Sequence, residues 1–364
     1  MYMKRKRQLK RVLRRTLAVM GLLAVASLPI DWAGLGRNLA CVAAGLRQPE
    51  GTVRLLDSHL FDPALSQPAA DTEMEQNRED STHIQLPVVA PVTTPAFTAI
   101  TPPGKKSGGG AVLTRTLTTG NRLKTGIATI NRSGKSVDVA SFLKKELPFR
   151  FADTKDPQVL ILHTHTTEGY RTYDAGYYNP GDRDRTKDHK KSVCAVGEAI
   201  RLTLESMGVA AIHDTTVHDS PQYTGAYTRS ATTAQGYLEK YPSIRVVLDI
   251  HRDAVLEGSA GVKPTATVDG KKAAQMMLIT GTVTTDALPH PQWRQNLTLS
   301  THLQRALDKV STDLMRPLNT VASRYNQHLS PGWVLVEVGA EGNTVEEAVY
   351  SGQILARTLA NLLD

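Results

Sequence analysis

Hydrophobic positions along the second half of the chain recur with two periods, and the two alternate. Val159, Leu160, Ile161 and Leu162 form a short apolar run that suits a strand buried on both faces. After a polar, Tyr- and Asp-rich loop, Val193, Val196, Ile200, Leu204 and Met207 share one face of a helix over 193–207, ended by Gly208. A strand over 209–213, a helix over 231–241 and a strand over 244–250 follow. This β-α-β-α-β alternation predicts an α/β fold with a mainly parallel central sheet and helices on both faces. Asp269-Gly270 then signals a hairpin between 265–268 and 272–279, whose second arm is placed in the sheet. A helix over 299–314, a strand over 333–338 and a closing helix over 345–363 complete the order. Ahead of the first strand, Val139, Phe142, Leu143 and Leu147 predict an amphipathic helix over 137–147 laid on the domain.

The first half is patterned differently. Residues 17–30 are an almost unbroken apolar run behind Lys4, Arg5, Lys6, Arg7, Lys10, Arg11, Arg14 and Arg15. Basic residues ahead of an apolar segment keep the N-terminus in the cytoplasm, so residues 1–35 are expected to be a cytoplasmic tail and signal anchor. The remainder is then outside the cell membrane, whether the anchor persists or is cleaved near Ala24-Val25-Ala26; a peripheral helix is the one alternative that does not place it there. Apolar residues at helical spacing predict a juxtamembrane helical segment over 36–62. Residues 63–116, rich in Pro, Thr, Ser and Gly, lack the apolar surface to offset ordering entropy and predict a linker. Residues 117–364 are left as the domain that carries chemistry.

Charge changes this picture only once it is located. The 364-residue chain has a formal charge of +8, and the eight basic residues just named account for as much, with no acid among them. The rest is near neutral, which excludes the broad basic face that nucleic-acid binding requires. Cys41 and Cys194 are the only cysteines and lack C-x-x-C spacing, so metal chemistry falls to His, Asp and Glu.

Those residue types gather at strand ends, where open α/β sheets place their ligands. The run at 159–162 opens into His163, His165 and Glu168, and His165 with Glu168 forms an H-x-x-E pair able to meet one divalent ion. The strand at 244–250 opens into His251, a third ligand, flanked by Asp249 and Asp253, either of which could hold its imidazole in the required tautomer. Glu337 stands among Val334, Leu335, Val336 and Val338, where a carboxylate is costly to ionise unless it faces a cation or a cleft. It is the candidate general base. His163 is open between ligand, supporting group and substrate contact. Arg252 is open between clamping a substrate carboxylate and pairing with Asp249 or Asp253. His290, Trp293, Tyr325, Asn326, Gln327 and His328 are candidates to line a groove.

Five segments in one order carry a more specific signal. HTHTTEGY at 163–170, DIHRD at 249–253, HPQWRQN at 290–296, YNQHLS at 325–330 and VEVGAEGNTVEEA at 336–348 resemble the stage II sporulation protein P family over about residues 147–364. The resemblance implies a zinc-dependent peptidoglycan hydrolase of endospore-forming bacteria, cutting the N-acetylmuramoyl-L-alanine amide and, as a second activity, peptide cross-links. It implies a role in septal wall thinning and forespore engulfment, with the stage II sporulation proteins D and M as partners. The implied fold is similar to that of zinc-dependent cell-wall amidases. Those amidases end in an E-x-G-x-x-x-N string whose Glu is catalytic, matched here from Glu337 to Asn343. Their first motif has one His and a Glu much further on, which leaves Glu168, Asp184 and Asp188 as candidates for the third Zn2+ ligand. A wall-binding scaffold without metal and a peptidase acting on stem peptides alone are the alternatives.

Overall fold

The computed structural model describes residues 100–118, 120–122, 126–180, 182 and 185–364. The expected tail, anchor, juxtamembrane helix and linker as far as residue 99 lie outside them, as does Asp184. In chain order the strands are β1 (Gly110–Arg115), β2 (Asn121–Arg122), β3 (Ala128–Arg132), β4 (Val159–Leu162), β5 (Tyr177–Tyr178) and β6 (Ala211–His213). They continue as β7 (Val246–Asp253), β8 (Leu256–Glu257), β9 (Ala260–Val268), β10 (Lys271–Ala274), β11 (Met276–Gly281), β12 (Leu318–Val321) and β13 (Trp333–Ala340). The α-helices are α1 (Val139–Phe142), α2 (Val193–Ser206), α3 (Ala226–Lys240), α4 (Trp293–Val310) and α5 (Val345–Leu363).

The main sheet runs β2-β3-β12-β11-β13-β7-β4-β6. All its pairings are parallel except β2 with β3 and β11 with β13, so the expected α/β fold with a mainly parallel sheet is observed. Helix α2 links β4 to its neighbour β6, and α3 carries the chain back across to β7 on the other side of β4. The carboxyl ends of β4 and β7 therefore flank a topological switch point, where such sheets open a crevice.

Strand alternation assigns each side chain to a face. On one face Ile161, Leu248, Ile250, Val336 and Val338 pack against Ile200 and Leu204 of α2, Leu299 and Leu303 of α4, and Leu355 and Leu359 of α5. On the other, Leu160, Leu162, Val247 and Trp333 pack against Ala234, with Tyr237 and Leu238 beside them, all on α3. Helix ends are closed as the sequence provides. Ser192 Oγ accepts from Cys194 N at 3.3 Å at the start of α2, and Thr344 with Glu347 forms a capping box on α5.

Several expected boundaries move. Residues 110–115, placed in the linker by composition, form β1, which pairs in parallel with β9 in a second sheet ordered β10-β9-β1-β5. Pairing to β9 supplies what its own exposed or half-buried side chains, with only Val112 buried, do not. The helix expected over 137–147 is only the single turn α1, capped by Asp138; Pro148 pushes Leu147 out of helical conformation. The helix expected over 299–314 begins at Trp293 and ends at Val310, so the polar-aromatic string at 290–296 is partly its first turn. Helix α3 starts at Ala226 rather than at 231. The second hairpin arm divides at Gln275, leaving β10 in the small sheet and passing β11 to the main one.

Candidate functional site

His251 and Glu337 are register partners on adjacent strands, so both side chains stand on the α3 face near the strand ends. Asp249, one alternation back on β7, is fully buried beneath them. The loop after β4 brings the remaining groups, and its threonines explain its spelling. Thr164 donates from N and Oγ1 to the two oxygens of Asp249, at 2.8 and 2.7 Å. Thr166 Oγ1 donates to Thr216 O at 2.7 Å, and Thr167 Oγ1 to Asp219 Oδ2 at 2.6 Å. Between these ties His165 and Glu168 are held against His251. The rings of His165 and His251 lie 5.3 Å apart, nearly perpendicular. Glu168 Oε2 is 3.5 Å from His251 Nδ1 and accepts from Arg252 N at 3.0 Å.

The electrostatics follow from burial and charge. Burial lowers the affinity of His251 for a proton, but Asp249 Oδ1 at 3.0 Å from Nε2, with Glu168 on the other side, holds its pKa well above the ordinary value. Burial raises the pKa of Glu168, yet His251, His165 and Arg252 together hold it well below the usual carboxylate range. Burial lowers the pKa of His165. Its Nε2 lies 3.0 Å from Tyr223 Oη, and its Nδ1 is buried with no hydrogen-bonding partner among the described residues. Glu337 Oε2 is likewise buried and unpartnered. Burial and then the charge of Asp253 push the Glu337 carboxyl up to about 8, against the pull of His251.

The residue types suit a divalent cation: two imidazoles and a carboxylate, a buried nitrogen on each imidazole left without a hydrogen bond among the described residues, and carboxylates that stabilise positive charge. As they stand, no three His, Cys, Asp or Glu side chains among the described residues surround a common point, because Glu168 is spent on His251 and Arg252.

Five other candidates fall elsewhere. His163 turns to the opposite face: its Nδ1 meets Ile250 O at 3.0 Å and its Nε2 meets His213 Nε2 at 2.9 Å. Gly197 of α2 makes room there, since a Cβ would sit 2.4 Å from His213 Nε2. Burial, and His213 beside it, lower the His163 pKa to about 3. Arg252 donates from Nε to Gly169 O at 3.1 Å and from Nη1 to the backbone O of Asp253 at 3.3 Å, and its Nη1 lies 3.8 Å from Glu341. The carboxylate of Asp253 pairs with Arg316 at 2.7 Å. Asn343 braces the turn after β13, accepting from Ala340 N at 2.9 Å and donating to Pro264 O and Glu347. That turn needs Gly339 (φ +67), where a Cβ would come 2.6 Å from Asn343 Oδ1. Asp188 pairs with Lys191 at 3.0 Å.

Sequence reasoning missed the wall opposite. Tyr223 stacks on His165 at 4.4 Å, Tyr227 meets His165 edge-on at 5.6 Å, and Arg185 bridges Asp219 at 2.8 Å and Glu168 at 3.9 Å. The spacing of Tyr223 and Tyr227, four apart at a helix start, was the available signal.

These features define an α/β protein whose candidate site, His165, Glu168, His251 and Glu337, lies at the carboxyl edge of its sheet. The chain belongs to the stage II sporulation protein P (SpoIIP) family, whose model matches residues 100–360. No curated protein matches the chain. Among solved structures it is similar to the apo form of the N-acetylmuramyl-L-alanine amidase Ami1 of Mycobacterium abscessus, at 13% identity and a TM-score of 0.34, over 57% of this chain and 99% of that one. It is also similar to the CwlD amidase of Clostridioides difficile, solved with the GerS lipoprotein, at 15% identity and a TM-score of 0.31, over 56% and 94% of the two chains. A third is the catalytic domain of CwlV, an N-acetylmuramoyl-L-alanine amidase of Bacillus (Paenibacillus) polymyxa var. colistinus, at 11% identity and a TM-score of 0.31, over 57% and 98%.

Proposed function

We propose that this protein is a zinc-dependent peptidoglycan hydrolase that cuts the N-acetylmuramoyl-L-alanine amide, with Glu337 as the proton carrier. The observation that carries the reading is Glu337 itself, a carboxylate with an unpartnered buried oxygen, beside His251 in register, in a chain of the SpoIIP family. His165, Glu168 and His251 would hold the zinc. The bound ion would supply Lewis-acid polarisation of the amide carbonyl and easier deprotonation of the attacking water. Glu337 accepts that proton and returns it to the departing amine. A cation nearby favours the ionised carboxylate, the form a base requires. Asp249, fixed by two bonds from Thr164, orients His251. Tyr170 Oη donates to Val338 O at 2.8 Å and so ties the loop of His165 and Glu168 to the strand of Glu337.

The wider reading adds cleavage of peptide cross-links, a place at the sporulation septum outside the membrane, and work alongside the stage II sporulation proteins D and M. Its support is the family and, for topology, the basic run ahead of residues 17–30. The test is to incubate the full chain with purified peptidoglycan and identify the products by mass. Free stem peptides beginning at L-alanine support the amidase reading, and shortened cross-linked peptides support the second activity. Intact wall that still pellets the protein would overturn both in favour of a binding scaffold.

A further inference from the structure

Tyr325 and Asn326 are consecutive residues in the left-handed region, at φ +46 and +58. Such a conformation is uncommon for any side-chain-bearing residue, is an outlier for a bulky one, and persists only where surroundings over-determine it. Here they do. Asn326 Nδ2 donates to Tyr227 O at 2.8 Å and to Ser230 Oγ at 3.1 Å, fastening the turn to α3. Gln327 accepts from Gly281 N and donates to Ile279 O, both at 2.8 Å, fastening it to β11. Asn296 of α4 donates to Gln327 O at 2.7 Å. Three elements thus hold one strained residue in place.

What they hold is an aromatic ring beside the candidate site. Tyr325 is half-buried over Met277, Ile279 and Leu335. Met277 is the register partner of Glu337, so this apolar strip runs from beneath Tyr325 to the candidate base. The Tyr325 ring lies 5.4 Å from that of Tyr227, which lies 6.4 Å from His251 at 16° and 5.6 Å from His165. The half-buried Tyr325 ring, seated on Met277, Ile279 and Leu335 and beside the Tyr227 ring, offers an aromatic face that matches the apolar face of a pyranose ring better than it matches an extended charged peptide.

We propose that Tyr325, backed by Tyr227, is the specificity-determining contact for the sugar on the acyl side of the scissile amide. This rests on the amidase reading above. The test uses the full chain with Tyr325→Gly, Tyr325→Leu and Tyr325→Phe. Glycine relieves the left-handed strain but gives up the ring's packing on Met277, Ile279 and Leu335, so Tyr325→Phe, which keeps the ring, and Tyr325→Leu, which keeps apolar packing, are the folding controls and are expected to melt near wild type. The substrates are N-acetylmuramoyl-L-alanyl-D-isoglutamine and its sugar-free counterpart, N-acetyl-L-alanyl-D-isoglutamine. Glycine and leucine are expected to raise KM for the first by about tenfold with kcat little changed, and Phe to restore it. The sugar-free substrate is expected to respond equally in all four proteins. An unchanged KM for the muramoyl substrate, or an equal rise for both, overturns the proposal. Calorimetric binding of the muramoyl compound in a Glu337→Gln background separates this from the fate of the amidase reading. Loss of binding on adding Tyr325→Gly supports the sugar contact even if wild type turns over neither compound. Undiminished binding, or none in the Tyr325-containing protein, overturns it.

Discussion

The two faces of the main sheet are built from the same strands and do opposite things. Alternate residues of β13 send Val334, Val336 and Val338 into a core covered by α2, α4 and α5, and send Trp333, Leu335 and Glu337 to a face covered by α3 and a short turn. The covered face is continuous and apolar. The other is apolar only under α3 and, past Leu335, gives way to Asp249, His251 and Glu337. One strand thus supplies core packing on one side and the candidate site's polar groups on the other, because its period of two lets each face be composed independently. The lesson extends to the histidines. His163 and His165, two apart in sequence, part company where β4 ends: the first joins His213 on the covered face, the second joins His251 in the cleft.

Substitutions on either side should separate these roles. The largest effect is expected from His251→Ala, which removes a candidate ligand and leaves Asp249 and Glu168 facing each other; turnover and bound zinc should both disappear while the protein still folds. Zinc analysis beside product assay checks this, and full activity would break the contrast. Next is Leu355→Ala in the core beneath α5, expected to cost about 2–5 kcal/mol in denaturant melts and to leave kcat near wild type once folded. Met277→Ala on the cleft side should cost less, at or below about 2 kcal/mol, because its neighbours can relax toward the cleft. Equal costs would mean the two faces are equally packed.

The smallest effect expected is a pH slope. Burial, with His328 and Arg324 nearby, lowers the His290 pKa to about 4 from an ordinary 6.5. Between those values the unfolded chain binds a proton that the folded one refuses, so stability falls as pH drops from about 6.5 toward about 4. Melts at pH 7 and pH 5 should show the loss, and His290→Gln should reduce it. An unchanged slope in that variant would assign the acid sensitivity elsewhere.

Much of this was legible along the chain, for physical reasons that differ by element. Helix α5 has an apolar stripe, a capping box and no interior proline, and it spans the expected residues. His165, Glu168, His251 and Glu337 stand out in the sequence as polar types at the ends of apolar strands, and the fold brings the four side chains together. β1 was not, since a strand stabilised by its neighbour's backbone carries little signal of its own. Arg252 and Asn343 were read toward chemistry and are found bracing loops: a buried donor satisfying backbone carbonyls leaves the same trace in a sequence as one aimed at a substrate. Tyr223, Tyr227 and the strained turn at Tyr325 gather from segments far apart in the chain, and only the fold makes them one wall.

The most direct measurement is zinc content and turnover of peptidoglycan for wild type beside Glu337→Gln. About one zinc per chain in both, as a single two-histidine, one-glutamate site requires, with turnover lowered by about 100-fold or more in the variant, is the predicted result. Turnover by Glu337→Gln within a fewfold of wild type, or absence of zinc from an active wild-type protein, would contradict the account.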